Sequence, residues 1–299
     1  MANRGQFALI TGGAKGIGKS ISSKLASEGW NLILWGRDTA ALGAEASALQ
    51  KTFGIQVITG VLDLSDLTSI PQAFESLSQH KGLQSLSGGL PDALVCNAGS
   101  YGVLGALKDV QIEEWKKSFD LNFFSVAALI QQYLRLCEAA HTPTSDRKRR
   151  SIVLLSGSGL GGAKVWPGIS SYGCAKAAIY RLMEFVHEEA HTSLNLDVNC
   201  IAPGAVKTGI TDQAVAAGKD VMGSLFEASL KVLNEGGDSP ELAANVVAQL
   251  LSEACAGISG RLISAKWDHQ ALSHPEEISK NTDLFRLRRI DQTLFVKGH

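Results

Sequence analysis

Short apolar runs recur along this chain with helix-length stretches between them, and that alternation limits the fold more than any other feature. The runs are Phe7-Ala8-Leu9-Ile10, Asn31-Leu32-Ile33-Leu34-Trp35, residues 55–62, Ala93-Leu94-Val95-Cys96, Ile152-Val153-Leu154-Leu155, residues 196–201 and residues 260–264. Helical patterns fall at about residues 16–28, 39–53, 112–140 and 170–191, with another ending near His80. Ser239-Pro240 is a helix start, with Ser as N-cap and Pro at the first helical position, and that helix runs to about Ala254. A run such as Ala93–Cys96 is apolar on both faces, as in parallel strands covered by helices on each side. Repeated βα units predict right-handed crossovers and an α/β fold: one doubly wound, seven-stranded parallel sheet with helices on both faces. A single domain is expected over residues 1–264, followed by a C-terminal extension over 265–299.

The charge balance, 28 Lys+Arg against 29 Asp+Glu, supplies no field for nucleic acid or an anionic membrane. No apolar run reaches the ~18 residues of a membrane span. The first residues lack a signal-peptide apolar region, so a cytoplasmic location is expected. Cys96, Cys137, Cys174, Cys200 and Cys255 are widely spaced without a CxxC pair, and they read as reduced thiols with no metal site. The polar segment 141–150 reads as a solvated loop, although its tetrad Arg147-Lys148-Arg149-Arg150 also has the composition of a phosphate or localisation patch.

Chemistry enters at the first turn, Thr11-Gly12-Gly13-Ala14-Lys15-Gly16-Ile17-Gly18-Lys19-Ser20. Between a strand and a helix, such a turn offers backbone N–H groups and a helix dipole to a phosphate. Two patterns overlap in it. Gly13-x-x-x-x-Gly18-Lys19-Ser20 fits a P-loop, and Gly12-x-x-x-Gly16-x-Gly18 fits a dinucleotide-binding turn. Farther on, Tyr172 and Lys176 stand four apart at the start of a helix and share one face. An ammonium beside a phenol lowers its pKa and makes it a usable proton donor or acceptor. Asn97-Ala98-Gly99, Ser156-Gly157-Ser158 and Pro203-Gly204 each follow a strand, Thr208 lies just beyond, and Asn122 sits inside a long helix. Strand C-terminal ends are where open α/β sheets bind ligands.

In order, TGGAKGIG (11–18), Asp63 within Leu62-Asp63-Leu64, NAG (97–99), Asn122, the serine loop, YGCAK (172–176) and APG (202–204) resemble the motifs of the short-chain dehydrogenase/reductase superfamily. The resemblance covers about residues 5–265. It implies a Rossmann domain and hydride transfer between a nicotinamide cofactor and a carbonyl or secondary alcohol. Tyr172 would exchange the proton, and Lys176 would tune Tyr172 and hold the nicotinamide ribose. Asn122 would hold a water linking Lys176 to solvent. A serine would bind the substrate oxygen: Ser158, 14 residues before Tyr172, is expected over Ser156, 16 before. The cofactor would lie on Gly12, Lys15, Gly16, Ile17, Gly18, Arg37, Asp63, Leu64, Asn97, Ala98, Gly99, Pro203, Gly204, Val206 and Thr208, besides Tyr172 and Lys176. Under this resemblance Lys19 is a helix-face residue and the P-loop match is accidental. A homodimer or homotetramer is implied as well.

Cofactor choice is legible in charge. NAD-dependent folds carry an acid at the end of the second strand for the ribose 2′-OH. Here Gly36 stands at that place, followed by Arg37, which can pair with a 2′-phosphate, while Lys15 adds a second cation. Asp38 is expected to cap the next helix. NADP(H) is therefore the expected cofactor. The alternatives are a non-catalytic NADP(H)-binding regulatory protein on the same fold and a P-loop phosphotransferase. Residues 209–237 lie where the resembled family places its substrate lid, and their mixed composition names no substrate beyond a small carbonyl or alcohol. The extension reads as a solvated or subunit-packing tail, or as a segment that brings Trp267, Asp268 or an arginine over the active site.

Overall fold

A computed structural model describes residues 3, 5–140, 147–157 and 165–287. Its elements run β1 (Phe7–Thr11), α1 (Gly16–Ser27), β2 (Asn31–Gly36), α2 (Thr39–Phe53), β3 (Val57–Val61), α3 (Ser69–Ser78), α4 (Lys81–Ser87), β4 (Ala93–Cys96), α5 (Ile112–Phe119), α6 (Ser125–Ala139), β5 (Arg150–Leu155), α7 (Ser170–Leu194), β6 (Leu196–Ala202), α8 (Gly209–Ala217), α9 (Lys219–Met222), α10 (Ser224–Glu235), α11 (Pro240–Leu251), β7 (Arg261–Ser264) and α12 (Pro275–Lys280). The sheet has seven strands, all parallel, in the order β3-β2-β1-β4-β5-β6-β7. Chain direction across the sheet reverses between β1 and β4, and the crevice outside their C-terminal ends is the ligand position of such sheets.

Strand side chains alternate between faces, and two cores result. Phe7, Leu9, Leu94, Ile152 and Leu154 meet Phe74 of α3, Leu129 and Tyr133 of α6, and Met183 of α7. Ala8, Ile10, Val95 and Val153 meet Ile21 and Leu25 of α1 and Val246 and Val247 of α11. Helix starts follow their cap residues: Asp38 Oδ1 accepts from Ala41 N at 3.0 Å, and Ser239 Oγ accepts from Glu241 N at 3.2 Å.

Three features depart from the sequence reading. The helix expected over 112–140 is interrupted by a π-helical turn, Asp120–Phe124, that carries Asn122. Of the polar segment 141–150, residues 141–146 lie outside the described residues, and the basic tetrad 147–150 is tied to the fold. Arg147 donates to Ser193 O, Lys148 pairs with Asp92 at 2.7 Å, and Arg149 pairs with Asp197 at 2.6 Å. These contacts fasten the entry to β5 between its neighbours β4 and β6. The extension, described as far as Leu287, is packed rather than solvated: the Arg261 guanidinium donates to Thr282 O, Leu284 O and Ile278 O, and Leu287 N donates to Tyr180 Oη at 2.7 Å. Leu262 N donates to Phe285 O, so this segment covers the free edge of β7. Among the described residues no helix is long and apolar enough to cross a membrane.

Asp197 also receives His191, with Nδ1 3.3 Å from Oδ1. That bond raises the His191 pKa above its usual 6.5. A pKa raised on folding stabilises the protein fully below the unfolded value, and the gain is lost as pH rises through the folded one. His191→Gln is therefore expected to lower stability by up to ~1 kcal/mol below pH 6.5. The gap to the parent chain should close at higher pH in urea denaturation. A gap that widens with pH would contradict the assignment.

Candidate active site

The turn after β1 brings Gly12 and Gly18 into contact distance. A Cβ on Gly18 would lie 2.2 Å from Gly12 O, and one on Gly12 would lie 3.0 Å from Asn97 Nδ2, so neither position accepts a side chain. Asn97 Nδ2 donates to Thr11 O at 3.0 Å, and Thr11 Oγ1 accepts from the backbone N–H groups of Asn97 and Ala98. These bonds lock the end of β4 to the glycine turn. Lys15, the N-cap of α1, makes no side-chain cap bond, so the first-turn N–H groups of that helix stay open to an anion. Lys19 pairs instead with the buried Glu45 of α2 at 2.9 Å, away from the turn. That placement removes the lysine a P-loop needs.

A cleft of about 390 Å³ runs from this turn along the strand ends. Its walls include Gly12, Lys15, Gly16, Ile17, Arg37, Asp63, Leu64, Asn97, Ala98, Gly99, Tyr172, Lys176, Pro203 and Thr208. Of the expected cofactor residues, Gly18 lies behind the turn, and Gly204 and Val206 face a second cavity of about 760 Å³. Tyr172 and Ser156 line both spaces. Asp63 accepts from Ser65 N and Oγ, which hold its carboxyl below the usual range. At the far end Asp38 caps α2 and makes a solvent-exposed ion pair with Lys15 at 2.5 Å. Arg37 is exposed, with no hydrogen bond or ion pair to another described residue.

Tyr172 and Lys176 face inward from the first turns of α7 and are 9 % and 3 % exposed. Lys176 Nζ donates to Leu155 O at 2.8 Å and lies over the Tyr172 ring, 5.5 Å from its centroid. Burial pushes the lysine down to about 8. The expected lowering of the Tyr172 pKa is reversed: burial, joined by the neighbouring phenol of Tyr101, pushes it up. The ammonium is itself desolvated and committed to a carbonyl, so it does not offset the loss of water around the phenol. Burial therefore favours the neutral phenol of Tyr172.

Asn122 is fully buried, and its side chain is spent on the fold. Nδ2 donates to Ser100 O and Ser118 O at 2.8 Å each, and Oδ1 accepts from Ser100 N. A Cβ on Gly99 would lie 2.9 Å from Asn122 Oδ1 and 3.6 Å from Lys176 Nζ, so the two flank the same glycine. Ser156 Oγ donates to Lys176 O at 3.2 Å, which occupies its hydroxyl proton. Ser158 lies outside the described residues.

Some site groups were invisible in the motifs. Tyr101 meets the Tyr172 ring edge-on at 5.0 Å, and Gln213 of α8 accepts from Tyr101 N and Ser100 Oγ. Tyr101 follows the NAG turn by two residues, a position that places it at the sheet's ligand edge. The carbonyl of Leu155 has no sequence signal.

The fold and the strand-end cleft are those of a nucleotide-binding α/β protein. A sequence model described as short chain dehydrogenase matches residues 6–219. The chain is 30 % identical to the 3-oxoacyl-acyl-carrier-protein reductase FabG of Chlamydia trachomatis over 86 % of its own length and 94 % of that protein's. It is 31 % identical to a rhamnolipid-biosynthesis 3-oxoacyl-acyl-carrier-protein reductase of Pseudomonas aeruginosa, over 69 % and 75 %. Among solved structures, levodione reductase aligns with a TM-score of 0.74 at 22 % identity, covering 90 % of this chain and 99 % of that one. The Pseudomonas aeruginosa RhlG/NADP active-site complex aligns with a TM-score of 0.70 at 26 % identity, covering 87 % and 94 %. The chain belongs to the short-chain dehydrogenase/reductase family of oxidoreductases.

Proposed function

We propose that this protein uses NADP(H) to interconvert a small carbonyl compound and its secondary alcohol, with Tyr172 as the proton donor and acceptor. The observation that carries this reading is the position of Tyr172 at the meeting of the 390 Å³ cleft and the 760 Å³ cavity. A proton-transfer group belongs where cofactor and substrate must touch. The cleft suits a dinucleotide: its glycine turn leaves helix N–H groups open, no acid stands at Gly36, and Arg37 is free for a 2′-phosphate. The RhlG/NADP complex supports the same choice, being a relative at 26 % identity with that cofactor in its name.

A nicotinamide cofactor held along the cleft by the glycine turn, Asn97, Tyr172 and Lys176 would supply the hydride. Tyr172 gives its phenol proton to the substrate oxygen in reduction and takes it back in oxidation. Lys176 holds positive charge beside the Tyr172 ring and would hold a ribose hydroxyl of the cofactor. Asn122 braces the loop of Gly99 and Ser100 that separates the two. Ser158 binds the substrate oxygen, while Ser156 serves α7. Ser158→Ala is accordingly expected to lower kcat by about tenfold, the worth of one hydrogen bond to charge developing on the substrate. Ser156→Ala should change it by no more than about twofold. The opposite order in steady-state kinetics would transfer the role to Ser156.

A screen of ketones, aldehydes and secondary alcohols followed at the NADPH absorbance tests the activity. Turnover with any of them supports the reading. Tight NADPH binding without turnover across the screen would favour a regulatory binder.

A further inference from the structure

Helices α8, α9 and α10 pack on one another beside the site. α8 lines the 390 Å³ cleft, and α8 and α10 together line the 760 Å³ cavity. Their grip on the rest of the fold is apolar: Ile210, Ala214 and Leu225 pack with Tyr101, Ile169 and Tyr172 in a small third core. Apolar packing is non-directional, so it sets no register by itself. One polar bridge does. Gln213 Oε1 accepts from Ser100 Oγ at 3.2 Å and from Tyr101 N at 3.3 Å. Among the described residues, no other hydrogen bond or ion pair runs from α8, α9 or α10 to any residue outside 205–238.

The residues that Gln213 reaches are themselves fixed to the catalytic side. Ser100 N donates to Asn122 Oδ1 at 3.2 Å, and Asn122 Nδ2 donates to Ser100 O at 2.8 Å. Gly102 N donates to Ser100 Oγ at 3.2 Å, so that hydroxyl is held while it donates to Gln213. Next to it the Tyr101 ring meets that of Tyr172 edge-on at 5.0 Å. Ser100 and Tyr101 follow β4, α8 follows β6, and β5 lies between those strands. The Gln213 side chain therefore spans the end of β5, where Leu155 and Ser156 line the cleft. Gln213 lines the same cleft, with Gly99 on the β4 side and Thr208 on the β6 side. A bridge between two walls holds them at one separation, and a molecule filling the cleft exchanges fastest when the walls part.

We propose that Gln213 is a positioning residue, a latch that holds α8, and with it α9 and α10, against the loop of Ser100 and Tyr101, so that release of the cofactor waits for the latch to open. The cofactor's part in this rests on the NADP(H) reading above. Both partners donate to one oxygen of Gln213, so the latch needs an acceptor at that place. Methionine at position 213 keeps the length of the side chain without the oxygen, whereas glutamate keeps the oxygen.

The test uses the full chain. Amide hydrogen exchange without any cofactor reads the latch over residues 98–104 and 209–217. Gln213→Met is expected to speed exchange in both segments by about tenfold, the worth of the two hydrogen bonds at an exposed side chain, and Gln213→Glu to keep the parental rate. Stopped-flow displacement of NADPH by excess NADP⁺, followed by NADPH fluorescence, should show release about tenfold faster in Gln213→Met and parental in Gln213→Glu. Ser100→Ala removes one donor from the opposite side and should move both readings in the same direction by less. Parental exchange in Gln213→Met, faster exchange with parental NADPH release, or failure of Gln213→Glu to restore either reading would overturn the proposal. If the parent chain binds no NADPH, the cofactor reading fails, and the exchange measurement alone decides the latch.

Discussion

Tyr172→Phe is expected to lower kcat by at least ~100-fold, in line with the worth of general acid–base catalysis, while NADPH still binds. The substitution keeps the ring, so the edge-on contact with Tyr101 at 5.0 Å and the place of Lys176 over the ring face survive. It removes only the hydroxyl, and with it the transferable proton. Among the described residues the other hydroxyls that line both cavities are those of Ser156, which donates to Lys176 O, and Thr208, which caps α8. Burial keeps the Tyr172 phenol protonated well past neutrality, so carbonyl reduction should be insensitive to its titration. Lys176 titrates sooner, at about 8. The lysine loses its charge as pH rises through that value, and the KM for NADPH should climb there while Tyr172 remains an acid. Near-parental turnover by Tyr172→Phe in stopped-flow reduction would eliminate the mechanism.

Cofactor preference is expected to favour NADPH over NADH by roughly 10- to 100-fold in kcat/KM, and the combined change Gly36→Asp with Arg37→Leu should invert it. Arg37 is the free cation at the end of β2. A guanidinium offers a 2′-phosphate two parallel N–H bonds, and charge-assisted bonds are worth about 1.5–3 kcal/mol. At ~1.4 kcal/mol per tenfold, that range gives the stated ratio. Lys15 adds little because Asp38 pairs with it at 2.5 Å. Asp38 is also tied to Ala41 N as the cap of α2, which turns its carboxylate away from the task of holding a ribose hydroxyl. Gly36 leaves space: a Cβ there would meet only Leu42, at 3.8 Å, so an aspartate fits. The inversion should appear in the dissociation constants of the two cofactors, because the nicotinamide end is untouched. A parental preference for NADH would give the ribose to Asp38 and overturn the role of Arg37.

Much of this site could be read from the residues because its chemistry is carried by spacing. The four-residue step from Tyr172 to Lys176 puts both on one helical face, and the strand-to-helix glycine turn has one geometry that leaves N–H groups open. Hydrophobic period and turn residues likewise report local structure, so the seven strands and the caps at Asp38 and Ser239 were legible before any fold was known. What stayed hidden depends on contacts between distant segments. The basic tetrad looks solvated in isolation, yet Asp92 and Asp197 arrive from other strands to pair with it. The π turn at Asn122 forms where that side chain can reach Ser100 across the fold.

The sequence by itself determined the alternation of strands and helices, the glycine turn and the spacing that sets Tyr172 and Lys176 on one helical face, because these follow from periodicity and from residue types at fixed offsets. Only the tertiary structure decided that burial favours the neutral Tyr172 phenol, that Asp38 pairs with Lys15, and that residues of α10 and the C-terminal segment wall the cavity beyond Tyr172. Burial and through-space charge set those properties, and both depend on which remote residues fill the neighbouring volume.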